Sequence, residues 1–158
     1  MIKYNDKETC MKIVVIDGQG GSIGASLISK IKKNNIEALV YGLGTNYFSS
    51  KAMKKAGADV IATGENAIVV NTKDADFIMG TTGIVISDSL HGEISKKISR
   101  AIGKAKATRI LIPFDCCRTY IVTKEKASIE ELLDSAVTKL VYEMAKEKGP
   151  CDSPDICK

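Results

Sequence analysis

Residues 12–24 read Lys12-Ile13-Val14-Val15-Ile16-Asp17-Gly18-Gln19-Gly20-Gly21-Ser22-Ile23-Gly24, and the parsing of this stretch decides the fold. Ile13 to Ile16 are four consecutive β-branched residues with no polar residue between them. A strand covered on one face would alternate, so this run predicts a strand buried on both. Glycines at 18, 20, 21 and 24 then interrupt it, and Ile23, Leu27, Ile28 and Ile31 recur on one face of a helix. The stretch is therefore strand, glycine-rich turn and helix start.

The same alternation continues outward. Ile36–Leu43 reads as a second strand, and Asn46–Ala56 as a helix closed by Gly57, where a left-handed cap is useful. Asp59–Ala62 and Asp76–Met79 read as third and fourth strands, whereas Glu65–Asn71 and Gly83–Ser87 fit either state. Gly92–Gly103 has helical spacing, with Asp88 or Ser89 as its cap. Arg109–Phe114 is a fifth strand and Thr119–Thr123 a candidate sixth. Ile129, Leu132, Leu133, Ala136, Val137, Leu140, Val141 and Met144 form one long helical stripe. Ser128 and Glu131 make a capping box at its start. Apolar strands alternating with helices imply a parallel sheet covered on both faces. The expected architecture is an α/β, three-layer Rossmann-like sandwich with a mostly parallel sheet of five or six strands. Residues 1–11 form an N-terminal arm, 12–148 a single domain, and 149–158 a cysteine-containing tail.

Composition narrows the function classes. The 158 residues are 44% hydrophobic and 27% charged, which argues against disorder. The net charge of +4 comes from lysines spread over helix faces, and the chain has three Phe, five Tyr and no Trp. Stacking platforms are thus scarce, and there is no clear nucleic acid signal. No apolar run is long enough to span a bilayer, so no membrane partner is expected. Without a secretory signal the expected location is cytoplasmic, where the five cysteines are reduced thiols or metal ligands.

In a sheet of this kind ligands bind beyond the carboxyl ends of the strands. The loop Gly18, Gln19, Gly20, Gly21, Ser22, Ile23 and Gly24 lies there and is the expected cofactor-binding site. Backbone N–H groups and the positive end of the helix dipole suit a phosphate, and Ser22 adds a hydroxyl. No Gly-Lys-Ser/Thr follows, which excludes a Walker loop. The Gly18-x-x-Gly21-x-Ile23-Gly24 spacing with Leu27 resembles the loop of extended short-chain dehydrogenases. That resemblance implies a nucleotide such as NADP or NAD. One departure stands against a dinucleotide site of that type. The end of the second strand reads Gly44-Thr45-Asn46, with no carboxylate for the ribose hydroxyls.

Over most of 11–113 the chain resembles a family of small uncharacterised Rossmann-like proteins from mostly anaerobic bacteria. The resemblance is carried by Ile16–Gly24, Gly44-Thr45-Asn46, Ala56–Asp59, Thr63–Ile68 with Asn71, and Gly80–Ile86. It implies the fold and assigns no activity. Thr45, Asn46, Glu65 and Asn66 are further expected contacts from neighbouring strand-end loops, and Glu65 is the candidate for proton transfer. Asp88, Ser89 and His91 lie too close in sequence, without a nucleophile elbow, to form a hydrolase triad, and His91 reads as a surface residue. Cys116, Cys117, Cys151 and Cys157 are the candidate metal ligands, although their spacing departs from C-x-x-C knuckles. The leading expectation is a protein that binds a nucleotide or phosphorylated small molecule, with a homodimer compatible. A nucleotide-dependent oxidoreductase or transferase and a cysteine-based metal or redox protein are the alternatives.

Overall fold

The computed structural model describes residues 10–115, 118–122 and 127–147. Among these residues five strands form one sheet: β1 (Met11–Asp17), β2 (Ala38–Gly44), β3 (Val60–Thr63), β4 (Phe77–Thr81) and β5 (Thr108–Ile112). Their order is β3-β2-β1-β4-β5 and every pair is parallel, with Ile13 opposite Val40 on one side and Phe77 on the other. Helices α1 (Ser22–Lys33), α2 (Tyr47–Lys55), α3 (Glu65–Asn71), α4 (Lys96–Lys104) and α5 (Ile129–Glu147) cover the sheet.

The continuous apolar run of β1 is explained by its central place. Ile13 and Val15 pack under α1, α2 and α5, against Leu27, Ile28, Met53, Leu133 and Leu140. Val14 and Ile16 face the other way, toward Ile68 of α3 and Ile98 and Ile102 of α4. Both faces are dry, so β1 has no solvent side on which to place a polar residue. After β3 the chain crosses to β4 on the far side of β1. The loops leaving β1 and β4 therefore turn to opposite faces, and a crevice opens between them at the carboxyl edge.

Glu65–Asn71 and Gly83–Ser87, which fit either state in sequence, are a helix and a segment that begins with a 3-10 turn. Two other expectations need correction. The helix expected at Gly92–Gly103 starts at Lys96, because Ser95 caps it by accepting from Ile98 N at 3.2 Å; neither Asp88 nor Ser89 does. The Ser89 hydroxyl instead donates to Gly83 O at 2.5 Å. No sixth strand runs through the described part of Thr119–Thr123, residues 119–122, which has only an isolated bridge at Thr119. Tyr120 and Val122 there are 79% and 97% exposed, and Ile121 N–H donates to Asp115 Oδ1, so this segment has neither a covering layer nor a ladder. Thr123 and Gly149-Pro150 lie outside the described residues.

The long helix follows its pattern. Glu131 accepts from Ser128 N at 2.7 Å while Ser128 Oγ accepts from Glu131 N at 3.3 Å, the reciprocal pair of a capping box. Leu140 is fully buried and Val141 is 46% exposed. Leu140→Ala should cost about 2–5 kcal/mol, and Val141→Ala about 0.5 kcal/mol or less, in urea denaturation. Equal losses would mean that the helix is rotated from this orientation.

Candidate functional site

The first strand ends on a buried carboxylate. Asp17 accepts from Gly18 N at 2.8 Å and from Gly24 N at 2.6 Å, so it ties the end of β1 to the first turn of α1. Gly24 allows this approach: a Cβ there would lie 2.8 Å from Asp17 Cβ and 2.9 Å from Met53 Sδ. Burial raises the Asp17 pKa by more than the Gly24 and Gly18 hydrogen bonds lower it, and the charge of Glu93 raises it further.

A second carboxylate reaches the loop from a distant part of the sequence. Glu93 Oε2 accepts from Gln19 N and from Asn46 Nδ2, each at 2.9 Å, and from the Thr45 hydroxyl in a short hydrogen bond. Asn46 also caps α2, with Oδ1 accepting from Ser49 N at 3.0 Å, and its Nδ2 donates to Gln19 O at 3.0 Å. The structure thus brings Gln19, Thr45 and Asn46 together through a residue that the sequence reading left out. Burial raises the Glu93 pKa, but the hydrogen bonds from Thr45, Gln19 and Asn46 outweigh it and leave the carboxyl below the usual glutamate value. The signal for Glu93 was weak in sequence, because its segment was expected to be helix and it lies 74 residues from Gln19.

The loop amides are consequently divided. The expectation of a bare helix terminus holds only in part, since Gly18, Gln19 and Gly24 already donate to Asp17 or Glu93. Gly21 N–H donates to Gly18 O at 3.0 Å, and Gly21 packs against α2, where an added Cβ would meet Ser49 Cα at 2.5 Å. Gly20 N–H and Ser22 N–H have no acceptor among the described residues, and both residues are exposed. An added Cβ at Gly20 would meet nothing within 4 Å. These open donors border a cavity of about 110 Å³ lined by residues Asp17 to Ile23 with Thr81, Leu90 and Phe114. Thr81 ends β4, so the cavity lies in the crevice between β1 and β4.

The remaining candidates are placed elsewhere. Glu65 Oε2 accepts from Ser95 Oγ at 2.5 Å and Oε1 pairs with Lys97 at 3.2 Å, joining α3 to α4. The Ser95 and Lys97 hydrogen bonds lower its pKa, which makes it a weaker proton acceptor. Asn66 is exposed beside it. His91 is exposed, as expected. Cys116, Cys117, Cys151 and Cys157 lie outside the described residues. A larger depression of about 570 Å³, between α3 and α4, is lined by Lys73, Lys97, Arg100, Lys104 and Lys106 around Val69, Ala101 and Ala105. Most of these cations are solvated side chains on helix flanks, away from the crevice.

Two predictions follow from this geometry. Gly21→Ala combines a φ of +71° with a backbone collision, so it should cost about 2–4 kcal/mol in chemical denaturation. Gly20→Ala should change stability by about 0.5 kcal/mol or less. Glu93 has a folded pKa below its reference of 4.5, so its contribution to stability is present above that value and lost as pH falls through the folded pKa. Asp17 has the opposite sign, since its raised pKa means that protonation on acidification favours the fold. The melting-temperature gap between wild type and Glu93→Gln should therefore be widest near about pH 7 and narrow below about pH 4.5. A gap independent of pH would show that the ionised Glu93 carboxylate contributes nothing.

Comparison with known proteins agrees with the architecture. None of the curated proteins matches the chain. A solved structure, the dodecameric FMN-dependent Ubix-like decarboxylase from Escherichia coli O157:H7, is similar over 85% of this chain and 95% of its own. The TM-score is 0.50 and the identity 10%, a likeness of fold. Among the described residues no helix is long and apolar enough to cross a membrane. A family profile matches residues 12–145, from the start of the β1 apolar run to the last turns of α5, and the chain belongs to that family, the domain of unknown function DUF3842.

Proposed function

We propose that the chain binds a nucleotide or another phosphorylated small molecule in the β1–β4 crevice. The phosphate lies on the N–H groups of Gly20 and Ser22 and takes the Ser22 hydroxyl. Gly18, Gly21 and Gly24 shape the loop, Ile23 borders the cavity, and Gln19, Thr45 and Asn46 hold its outer side. The observation that carries the reading is the pair of uncommitted amides beside a cavity at the switch point of the sheet. Glu65 and Asn66, on the far side of β2 and engaged with α4 or solvent, have a smaller part in it.

Size and charge shape the ligand. About 110 Å³ accommodates a phosphoryl group but is well below the roughly 300–1,000 Å³ of a pocket that encloses a drug-sized molecule. The rest of the ligand lies along the surface. Among the described residues no lysine or arginine lines the cavity, and Asp17 lines it while Glu93 stands close by. Phosphate at this site is held by neutral backbone amides beside two carboxylates, so directed hydrogen bonds rather than cationic side chains carry the binding. The decarboxylase of similar fold is FMN-dependent, which adds FMN to NAD and NADP as ligands to test.

A thermal-shift screen of wild type and Gly20→Asp against FMN, NAD, NADP, ADP, ATP and sugar phosphates at roughly millimolar concentration tests the reading. At least one compound should raise the wild-type melting temperature, and Gly20→Asp, which sets a carboxylate beside the open amides without a steric clash, should abolish that rise. Silence of the wild type toward the whole panel would overturn the proposal.

A further inference from the structure

We infer that Glu93 is the specificity residue of this site and that its free carboxylate oxygen accepts a sugar hydroxyl, which makes the ligand class a ribonucleoside diphosphate. This rests on phosphate binding at the glycine loop.

The argument starts from the end of β2. Dinucleotide sites on sheets of this order place an acid there to hold ribose hydroxyls. Here β2 ends at Gly44 and is followed by Thr45 and Asn46, with no acid. The Thr45 hydroxyl and Asn46 amide nevertheless hold a carboxylate, that of Glu93, delivered by the segment between β4 and α4. The carboxylate lies against the loop itself: a Cβ added at Gly18 would be 2.8 Å from Glu93 Oε2. An acid thus stands between the phosphate loop and the end of β2 although neither element encodes one.

Its hydrogen bonds are lopsided. All three donors from Gln19, Thr45 and Asn46 converge on Oε2, and Oε1 has no hydrogen-bond or ion-pair partner among the described residues. A side chain serving only to clamp two loops needs one acceptor atom, which glutamine would supply. A carboxylate fixed through one oxygen offers the other as a charged, pre-oriented acceptor, suited to a hydroxyl and repellent to a phosphate in the sugar's place. The segment that delivers it is closed on itself by Asp88 N–H to Ile94 O at 2.7 Å and by the buried Ser89. Immediately beyond Asn46 lie Tyr47 and Phe48, 63% and 72% exposed, with ring centroids 6.0 Å apart. Open amides at Gly20 and Ser22, the Glu93 carboxylate and an exposed aromatic pair thus belong to adjoining segments of this edge.

The test measures binding by calorimetry to wild type and Glu93→Gln, each first shown folded by its thermal transition. The probes are inorganic pyrophosphate, ADP, GDP, CDP and UDP, and the 2′,3′-dideoxy counterpart of whichever diphosphate binds best. Wild type should prefer the ribonucleotide over its dideoxy form by about 10- to 100-fold, and Glu93→Gln should erase most of that preference while still binding pyrophosphate. If Glu93→Gln fails to fold, Glu93→Asp, which keeps the charge but shortens the reach, should reduce the preference in the same way. Equal binding of ribo and dideoxy forms, or binding of pyrophosphate alone, would overturn the role of Glu93 and leave the phosphate site standing. Tighter pyrophosphate binding by Glu93→Gln with no change in sugar preference would mark Glu93 as a competing anion and also overturn it. No binding of any probe would remove the phosphate site and this inference with it.

Discussion

The buried Asp17 carboxylate is the interaction on which the geometry of this crevice depends. It takes the N–H groups of Gly18 and Gly24 at once, and so fixes where β1 stops and how closely α1 begins. With Gly24 held against Asp17 and Met53, the first turn of α1 cannot tilt away from the sheet. Gly21 is then pressed onto Ser49 of α2, which sets the distance between the first two helices on that face. The loop is therefore rigid for reasons of packing, before any ligand arrives. A site pre-shaped in this way does not have to be ordered on binding, which removes one cost of association.

The same carboxylate changes the electrostatics expected of a helix terminus. A glycine loop opening a helix presents positive potential and unpaired amides. In this chain Asp17 and Glu93 neutralise part of that potential and occupy three of the amides. What remains at Gly20 and Ser22 is a narrower set of donors with negative charge close by. The two carboxyls are also pushed in opposite directions, Asp17 up by burial and Glu93 down by its three donors. Anion affinity at this crevice is accordingly governed as much by what the loop's neighbours already donate and accept as by the glycine spacing.

The fold was largely legible in the sequence because its signals are local and repeated. Four β-branched residues in β1, the Gly57 terminator and the Ser128–Glu131 box each report on the few residues around them. The open and the overturned expectations fall where local pattern and tertiary context diverge. Glu65–Asn71 is too short for periodicity to separate helix from strand. Residues 119–122 have strand-like composition, but no layer covers Tyr120 and Val122. At the site, the glycines and Asn46 were readable from turn chemistry, whereas Asp17 and Glu93 were not. Asp17 carries no motif beyond standing next to a glycine. Glu93 reaches the loop only because the chain folds back over 74 residues, a pairing that no periodicity encodes.

The segment that carries Glu93 gathers three of the six positive-φ non-glycine residues found among the described residues. Asp88, Leu90 and His91 all have positive φ, at 65°, 52° and 56°, followed by Gly92 at 87°. Each non-glycine residue there costs about 1–2 kcal/mol relative to ordinary backbone, and Leu90 lacks the polar side chain that eases the conformation in Asp or Asn. Such a run persists only where surrounding contacts over-determine it. The contacts are present: Ser89 is buried and bonded to Gly83 O, Leu90 packs against Gly18, and Glu93 is held by three donors. The turn thus does two things at once: it seats Ile94 and Leu90 on the core beneath α4, and it brings the Glu93 carboxylate to the glycine loop.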